Sequence, residues 1–325
     1  MRRTTGIIAG ILGLLSATAA GAQPAAVDLP GPRAFPESIS IAPDGTAYVG
    51  SLSGGISRVD LAGGQVEGWI APGAYGSASI FGVLADAAHG MLWACSTNFS
   101  AAGLAIEGAD AGSVLKGFDL ATGEGKVSVA LPGERPMCND IAVDKDGAVY
   151  VTDTGSSHIL RWKAGMEAFE LWSADPALTG GGEGATNGLD GIAFGGDGQL
   201  YVNNVRSNIF ARVAVKPDGT AGAVTVLHSA RAFASPDGLR SLGGMHFVQA
   251  EGEGRIAILT VSGDEVAVET LVEGLSSATG ADVHDGTIWY VQGEVGYALN
   301  PRLRGQTPPL PFRVTPLAMP HQHHH

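Results

Sequence analysis

Positive charge is scarce in this sequence. Its 325 residues include 19 Lys and Arg against 32 Asp and Glu, a net charge of −13, and only 16% of the chain is charged at all. Phosphate backbones and anionic bilayers are held by clustered basic residues, so neither nucleic acid nor a membrane surface is expected as a partner. The acid excess reads as general solubility. Long apolar runs are missing beyond the first residues, where nothing approaches the roughly 20 residues of a membrane helix. No stretch of more than a few residues has helical apolar spacing. Catalytic signatures are missing as well. There is no Gly-x-Ser-x-Gly, no His-Glu-x-x-His and no Cys-x-x-Cys, which leaves serine hydrolase and zinc protease chemistry without support. Cysteine is reduced to Cys95 and Cys138. They read equally as a disulfide in an oxidising compartment or as two small buried residues.

What is abundant is glycine, 49 residues, about twice ordinary usage and typical of a turn-rich all-β chain. The N-terminus has a different character. Arg2 and Arg3 precede an apolar run from Gly6 to Leu15, and Ala20-Gly21-Ala22 forms a small-residue cleavage site before Gln23. Residues 1–22 are therefore expected to be a signal peptide, and the mature protein to be exported, periplasmic or secreted. Residues 319–325, ending in His-Gln-His-His-His, are expected to form a disordered tail. A monomer acting on a small molecule is the expected form.

Between those ends the chain repeats. Glu37-Ser-Ile-Ser-Ile-Ala-Pro-Asp-Gly45, Asn139-Asp-Ile-Ala-Val-Asp-Lys-Asp-Gly147 and Asp190-Gly-Ile-Ala-Phe-Gly-Gly-Asp-Gly198 each start on a carboxylate or amide. Each crosses a short apolar strand and ends in an Asp-Gly turn. A second strand containing Tyr-Val follows each time, and Asp237-Gly-Leu-Arg starts a looser fourth copy. Six units of about 40–55 residues, four strands in each, match the blades of a propeller. Residues 23–318 are thus expected to form one all-β domain, a six-bladed β-propeller with four antiparallel strands per blade. Either Ala26–Leu29 or Phe312–Leu317 is expected to complete the last blade and close the ring.

In a propeller the inner strands all start at one rim of the central channel. Glu37, Asn139, Asp190 and Asp237 occupy that start. One such residue would be read as a cap on its strand. Four at matching positions point to a shared cation, because carboxylates brought together repel unless something positive lies between them. Hard oxygen donors favour Ca²⁺, with Mg²⁺, Mn²⁺ or Zn²⁺ as alternatives.

Phe35-Pro-Glu37, Cys138-Asn-Asp-Ile-Ala-Val143, Gly188-Leu-Asp-Gly-Ile-Ala-Phe194, Leu200-Tyr-Val and Ser235-Pro-Asp-Gly238 together resemble the SMP-30/gluconolactonase-like family of six-bladed propellers. The resemblance extends over nearly all of the expected mature chain. It implies a divalent cation held by a Glu, an Asn and an Asp, and hydrolysis of lactones or related esters. By position Glu37 takes the place of the family Glu, and Asn139 that of the substrate-side Asn. Asp237 takes the place of the Asp that is both ligand and candidate base. The fourth unit departs from the pattern. Spacing to the Asp-Gly turn selects Asp190 as its ligand, whereas residue type selects Asn187. Asp190 is the expectation, with Asn187 as a substrate contact. Arg135 lies four positions ahead of Asn139, displaced from where the family carries an Arg, and is a further candidate substrate contact.

The same reading assigns catalysis to Asp237 and Asn139, with Asp237 taking a proton from water. Phe81 is at the repeat position of unit two, where it would wall the substrate or simply pack. His158 lies in a loop that could share the rim. Glu251, Glu253 and Glu294 follow second strands and would be either rim residues or solvated loops. The readings to be separated are a metal-dependent lactone or ester hydrolase, a binding propeller with structural Ca²⁺, and a metal-dependent isomerase or lyase. A channel plugged by the Asn98–Ser113 insertion would favour the binding propeller.

Overall fold

In the computed structural model, which describes residues 22–321, the Asp-Gly turns set the pattern of the whole molecule. Gly45, Gly147 and Gly198 each close an i to i+3 hydrogen bond, to the carbonyls of Ala42, Asp144 and Gly195 at 2.9–3.1 Å. Each has a positive φ of 75–87°, which glycine adopts without steric cost. Every turn returns the chain antiparallel to the strand before it.

Six sheets result. Blade one comprises Pro36–Ile41, Thr46–Ser51, Ile56–Asp60 and Val66–Ile70, and blade two Ser79–Asp86, Met91–Thr97, Ser113–Asp119 and Gly125–Ala130. Blade three comprises Cys138–Val143, Val149–Asp153, His158–Trp162 and Glu170–Ser173, and blade four Leu189–Phe194, Leu200–Asn204, Ile209–Val215 and Ala221–Val226. In blade five, Pro236–Gly243, His246–Glu251, Arg255–Ser262 and Glu265–Val272 gain a fifth, parallel strand, His228–Ser229. Each innermost strand touches those of both neighbouring blades, and the sixth touches the first. The ring is closed, as expected for a six-bladed propeller.

Blade six settles which end of the chain completes it: both do. Its order from the channel outward is Gly280–His284, Thr287–Val291, Arg313–Ala318 and Val27–Asp28. Val27 pairs with Val314 and Asp28 with Arg313, whose guanidinium lies 2.8 Å from the Asp28 carboxylate. The second and third strands of this blade are separated by a long excursion that carries the short helix Val295–Leu299.

Aromatic residues at equivalent places fill the space between blades. Tyr201 is buried against Phe210 and Phe247, with centroids 5.7 and 4.9 Å away. Tyr150 packs between Trp172 and Phe194. Such ring pairs contribute about 0.5–1.5 kcal/mol each beyond their buried area. Cys95 and Cys138 form a disulfide that joins the second strand of blade two to the first of blade three. The expected signal peptide lies outside the described residues apart from Ala22. Of the expected tail, Met319 is buried among residues of blades five and six. Residues 322–325 are outside the description.

Candidate functional site

The residues at the channel rim owe their direction to a repeated irregularity. In blade one Pro36 pairs with Ser51 and Ile39 with Val49, so Glu37 and Ser38 together oppose Gly50. The same two-against-one bulge recurs at Phe81 and Gly82, Asn139 and Asp140, Asp190 and Gly191, and Asp237 and Gly238. A bulge bends its strand and re-aims a side chain. Five blades therefore turn the first residue of the pair to a common centre. Blade six has no bulge in this pair of strands. The second bulge residue lies where the next blade crosses. A Cβ on Gly191 would overlap the Asp237 carbonyl oxygen, and one on Gly82 would overlap that of Asn139, so glycine lets the blades close up. Phe35 (φ 37°) and Ser235 (φ 59°) add left-handed backbone directly before Pro36 and Pro236, two residues ahead of a rim carboxylate. Backbone of this kind costs about 1–3 kcal/mol and collects at functional sites.

Glu37, Asp190 and Asp237 meet there. One oxygen from each lies within 4.8 Å of the others. Glu37 and Asp190 are buried and Asp237 is half-buried. The Asn139 NH₂ donates to Asp190 Oδ2 (3.1 Å) and to Thr154 Oγ1 (2.9 Å), which leaves its carbonyl oxygen to meet a ligand. Asp190 Oδ1 and Asp237 Oδ1 are buried without a hydrogen-bond partner. Burial, and then the charges of Asp190 and Asp140, raise the Glu37 pKa well above the ordinary carboxyl range. Burial followed by the Asp237 charge does the same to Asp190, and burial followed by the Glu37 charge does the same to Asp237. An all-oxygen donor set with two unpartnered carboxylate oxygens fits a hard divalent cation. The cluster includes no histidine and no cysteine.

Below the carboxylates the channel is closed by Arg240. Its guanidinium is buried, bonded to both oxygens of Asp140 and, at 2.7 Å, to the Val83 carbonyl of blade two. Asp282 accepts from the Ile41 amide at 2.7 Å on the same level. Sequence reasoning missed this floor. The signal was available, because Arg240 stands where the other copies have Ser40, Ala142 and Ala193.

Above them opens a cavity of about 460 Å³ that the four rim residues and Phe81 help to line. Glu253 and Glu294 line it too, whereas Glu251 is buried in a bidentate pair with Arg231. The Asn98–Ser113 insertion contributes no lining residue. Its Phe99 packs against Phe81, with ring centroids 5.6 Å apart.

Comparison with known proteins bears on the scaffold. A strictosidine synthase-like N-terminal family model matches residues 22–59, and an NHL repeat model matches residues 136–162. Each covers a small part of the chain. No curated protein matches the sequence. Among solved structures, the major allergen Mala s 1 of Malassezia sympodialis is similar at 17% identity and TM-score 0.66, over 94% of this chain and 100% of that one. A gluconolactonase from Xanthomonas campestris is similar at 15% identity and TM-score 0.58, over 86% and 96%. A virginiamycin B lyase from Staphylococcus aureus is similar at 17% identity and TM-score 0.58, over 82% and 80%. At these identities the likeness is one of fold. A lactonase, a lyase and an allergen share it, so the scaffold does not choose the reaction.

Three of the expected substrate contacts lie elsewhere. Asn187, His158 and Arg135 line a separate depression, outside the central cavity. Asn187 precedes the bulged strand, is exposed, and donates to the Gly155 carbonyl at 2.9 Å. Arg135 precedes its strand in the same way. His158 opens the third strand of blade three, two strands away from the channel. Of the two unit-four candidates, Asp190 is the one in the cluster.

Proposed function

We propose that the protein is a divalent-cation-dependent hydrolase that opens a lactone or a related ester. The observation that carries this is the pair of unpartnered, buried carboxylate oxygens of Asp190 and Asp237, beside Glu37, at the bottom of an open cavity. Glu37, Asp190, Asp237 and the Asn139 carbonyl oxygen would hold the cation, Ca²⁺ by preference. A bound cation of this kind polarises a carbonyl oxygen and makes water more acidic.

The chain supplies the rest. Asp237 is the least buried of the three carboxylates and faces the cavity, so it is placed to accept a proton from the attacking water. The water oxygen adds to the carbonyl carbon and the ring C–O bond breaks. The departing alkoxide takes the proton back, giving a hydroxy acid. Asn139, fixed by Thr154 and Asp190 through its NH₂ group, keeps its carbonyl oxygen turned to the cation position. Phe81 excludes water from one side. Arg240 supplies the fixed positive charge below that keeps the acidic floor from repelling itself. The Cys95–Cys138 disulfide and the N-terminal segment support an exported, oxidising location.

The test is titration calorimetry with Ca²⁺ followed by a pH-stat screen of lactones with and without chelator. One cation per chain, turnover lost on chelation and regained with Ca²⁺, and a product heavier than substrate by one water are expected. Undiminished turnover after exhaustive chelation overturns the proposal.

A further inference from the structure

The cavity above the carboxylates is unequal around its circumference. On one side its wall comes from blades two and three and from the excursion of blade six. Phe81 stands at the rim position of blade two, where four other blades place a carboxylate or an amide. Met137 follows on the approach to blade three, and Val295, Tyr297 and Leu303 come from the excursion. Blades six, one, two and three are consecutive around the ring, so these side chains form one sector. Phe81 belongs to the largest apolar core cluster of the described residues, and Met137, Val295, Tyr297 and Phe99 pack against that same cluster. The wall is thus an outcrop of the core, braced from behind by Phe99. Glu294 on this side is engaged by the Ser276 hydroxyl.

The other side belongs to blades four and five. Arg206, Ser235 and Glu253 line it, interrupted only by Val205. Apart from Val205, the apolar side chains are therefore confined to one sector of the wall, where Thr154, Ser276, Ser277 and Thr279 stand beside them, and the opposite side is polar.

We infer that the substrate is a lactone or ester carrying an alkyl or aryl substituent, with its carbonyl over the carboxylate cluster and the substituent against Phe81 and Tyr297. This rests on the hydrolase reading above and narrows it. A sugar lactone carries hydroxyls around its whole ring. Those turned to the apolar sector would lose water without gaining a partner, which is costly. An alkyl chain there gains about fourfold in affinity per buried methylene. Because the gain is the same before and at the transition state, it is expected in KM and not in kcat.

The test pairs turnover with binding. With Ca²⁺ present, kcat/KM is measured for γ-butyrolactone, γ-hexalactone, γ-octalactone and γ-decalactone, beside glucono-δ-lactone. Binding of the matching non-hydrolysable γ-alkyl lactams is measured by thermal shift. The expected result is a roughly fourfold gain per methylene over the first few, carried by KM, with a parallel fall in lactam Kd. Phe81→Asn should flatten both slopes. Because Phe81 is buried, Tyr297→Gln serves as a second variant with the same expected direction. A flat alkyl series with glucono-δ-lactone preferred overturns the inference and leaves the hydrolase reading standing. Chain-length-dependent lactam binding with no lactone turned over removes the hydrolase reading and upholds the apolar sector. Absence of both binding and turnover overturns both.

Discussion

Arg240 Nη1 lies 3.1 and 3.0 Å from the two carboxylate oxygens of Asp140, across the channel from blade five to blade three. Both side chains are buried, at 7% and 3% exposure, so neither charge has water to fall back on. Removing one member of such a pair costs about 3–5 kcal/mol, because the other is left buried and uncompensated. Arg240→Met is expected to lower urea-denaturation stability by about that amount. Adding Asp140→Leu to it should restore most of the loss. A double variant as unstable as the sum of its parts would show that the two charges are not coupled.

The three rim carboxyls have folded-state pKa values raised by burial first and by neighbouring charge second. Between the ordinary carboxyl value and the raised one, the folded state holds protons that the unfolded chain has released. Stability then falls as pH rises through that window. Cation-free protein should therefore lose melting temperature as pH rises above the ordinary carboxyl range, and saturating Ca²⁺ should remove the slope by taking the protons' place. Calorimetric scans at stepped pH with and without chelator read this directly. A cation-free melting temperature that climbs with pH would contradict it.

Neutralising one ligand should separate stability from function. Asp190→Asn relieves like-charge repulsion in the cluster and keeps the shape. The cation-free variant is expected to melt higher than the wild type. It should also lose the stabilisation that a site at a hundredfold excess over Kd confers, about 2.7 kcal/mol. Paired melts at zero and millimolar Ca²⁺ check it. A variant less stable than wild type without cation would mean that the carboxylate serves mainly as a hydrogen-bond acceptor for Asn139.

The Cys95–Cys138 bridge closes a loop of 43 residues. On the chain-entropy account a loop of that length gives about 4 kcal/mol. Cys95→Ala with Cys138→Ala should lower stability by about 2–4 kcal/mol. Because Cys138 directly precedes Asn139, it should also weaken Ca²⁺ binding. Chemical denaturation and calorimetry on the same double variant measure the two effects. Unchanged cation affinity would confine the bridge to a structural role.

The parts of this molecule that were legible in the sequence are those set by neighbours along the chain. The Asp-Gly turns fix each hairpin locally, and counting back from them finds Glu37, Asn139, Asp190 and Asp237. The count survives the bulges because all four strands carry the same one. It also explains why Asp190 and not Asn187 reaches the cluster, although residue type pointed to Asn187. What could not be read depends on distant partners. Arg240 meets Asp140 from 100 residues away and Ser38 from 202. The excursion of blade six walls the cavity without any repeat to announce it. Arg135 was placed by a displaced family Arg and His158 by a loop that could share the rim. Strand order carries His158 away from the channel, and Arg135, ahead of its strand, lines the same outer depression.

The seam in blade six has a consequence for when the site comes into being. Glu37 belongs to the first blade and Asp237 to the fifth, and the ring between them runs through blade six, which Val27 completes by pairing with Val314. A chain shortened at either margin of the fold would leave blade six without one of its strands, although no residue of that strand lies near the three carboxylates. Two short segments at opposite ends of the polypeptide thus share the upkeep of a centre that neither of them touches.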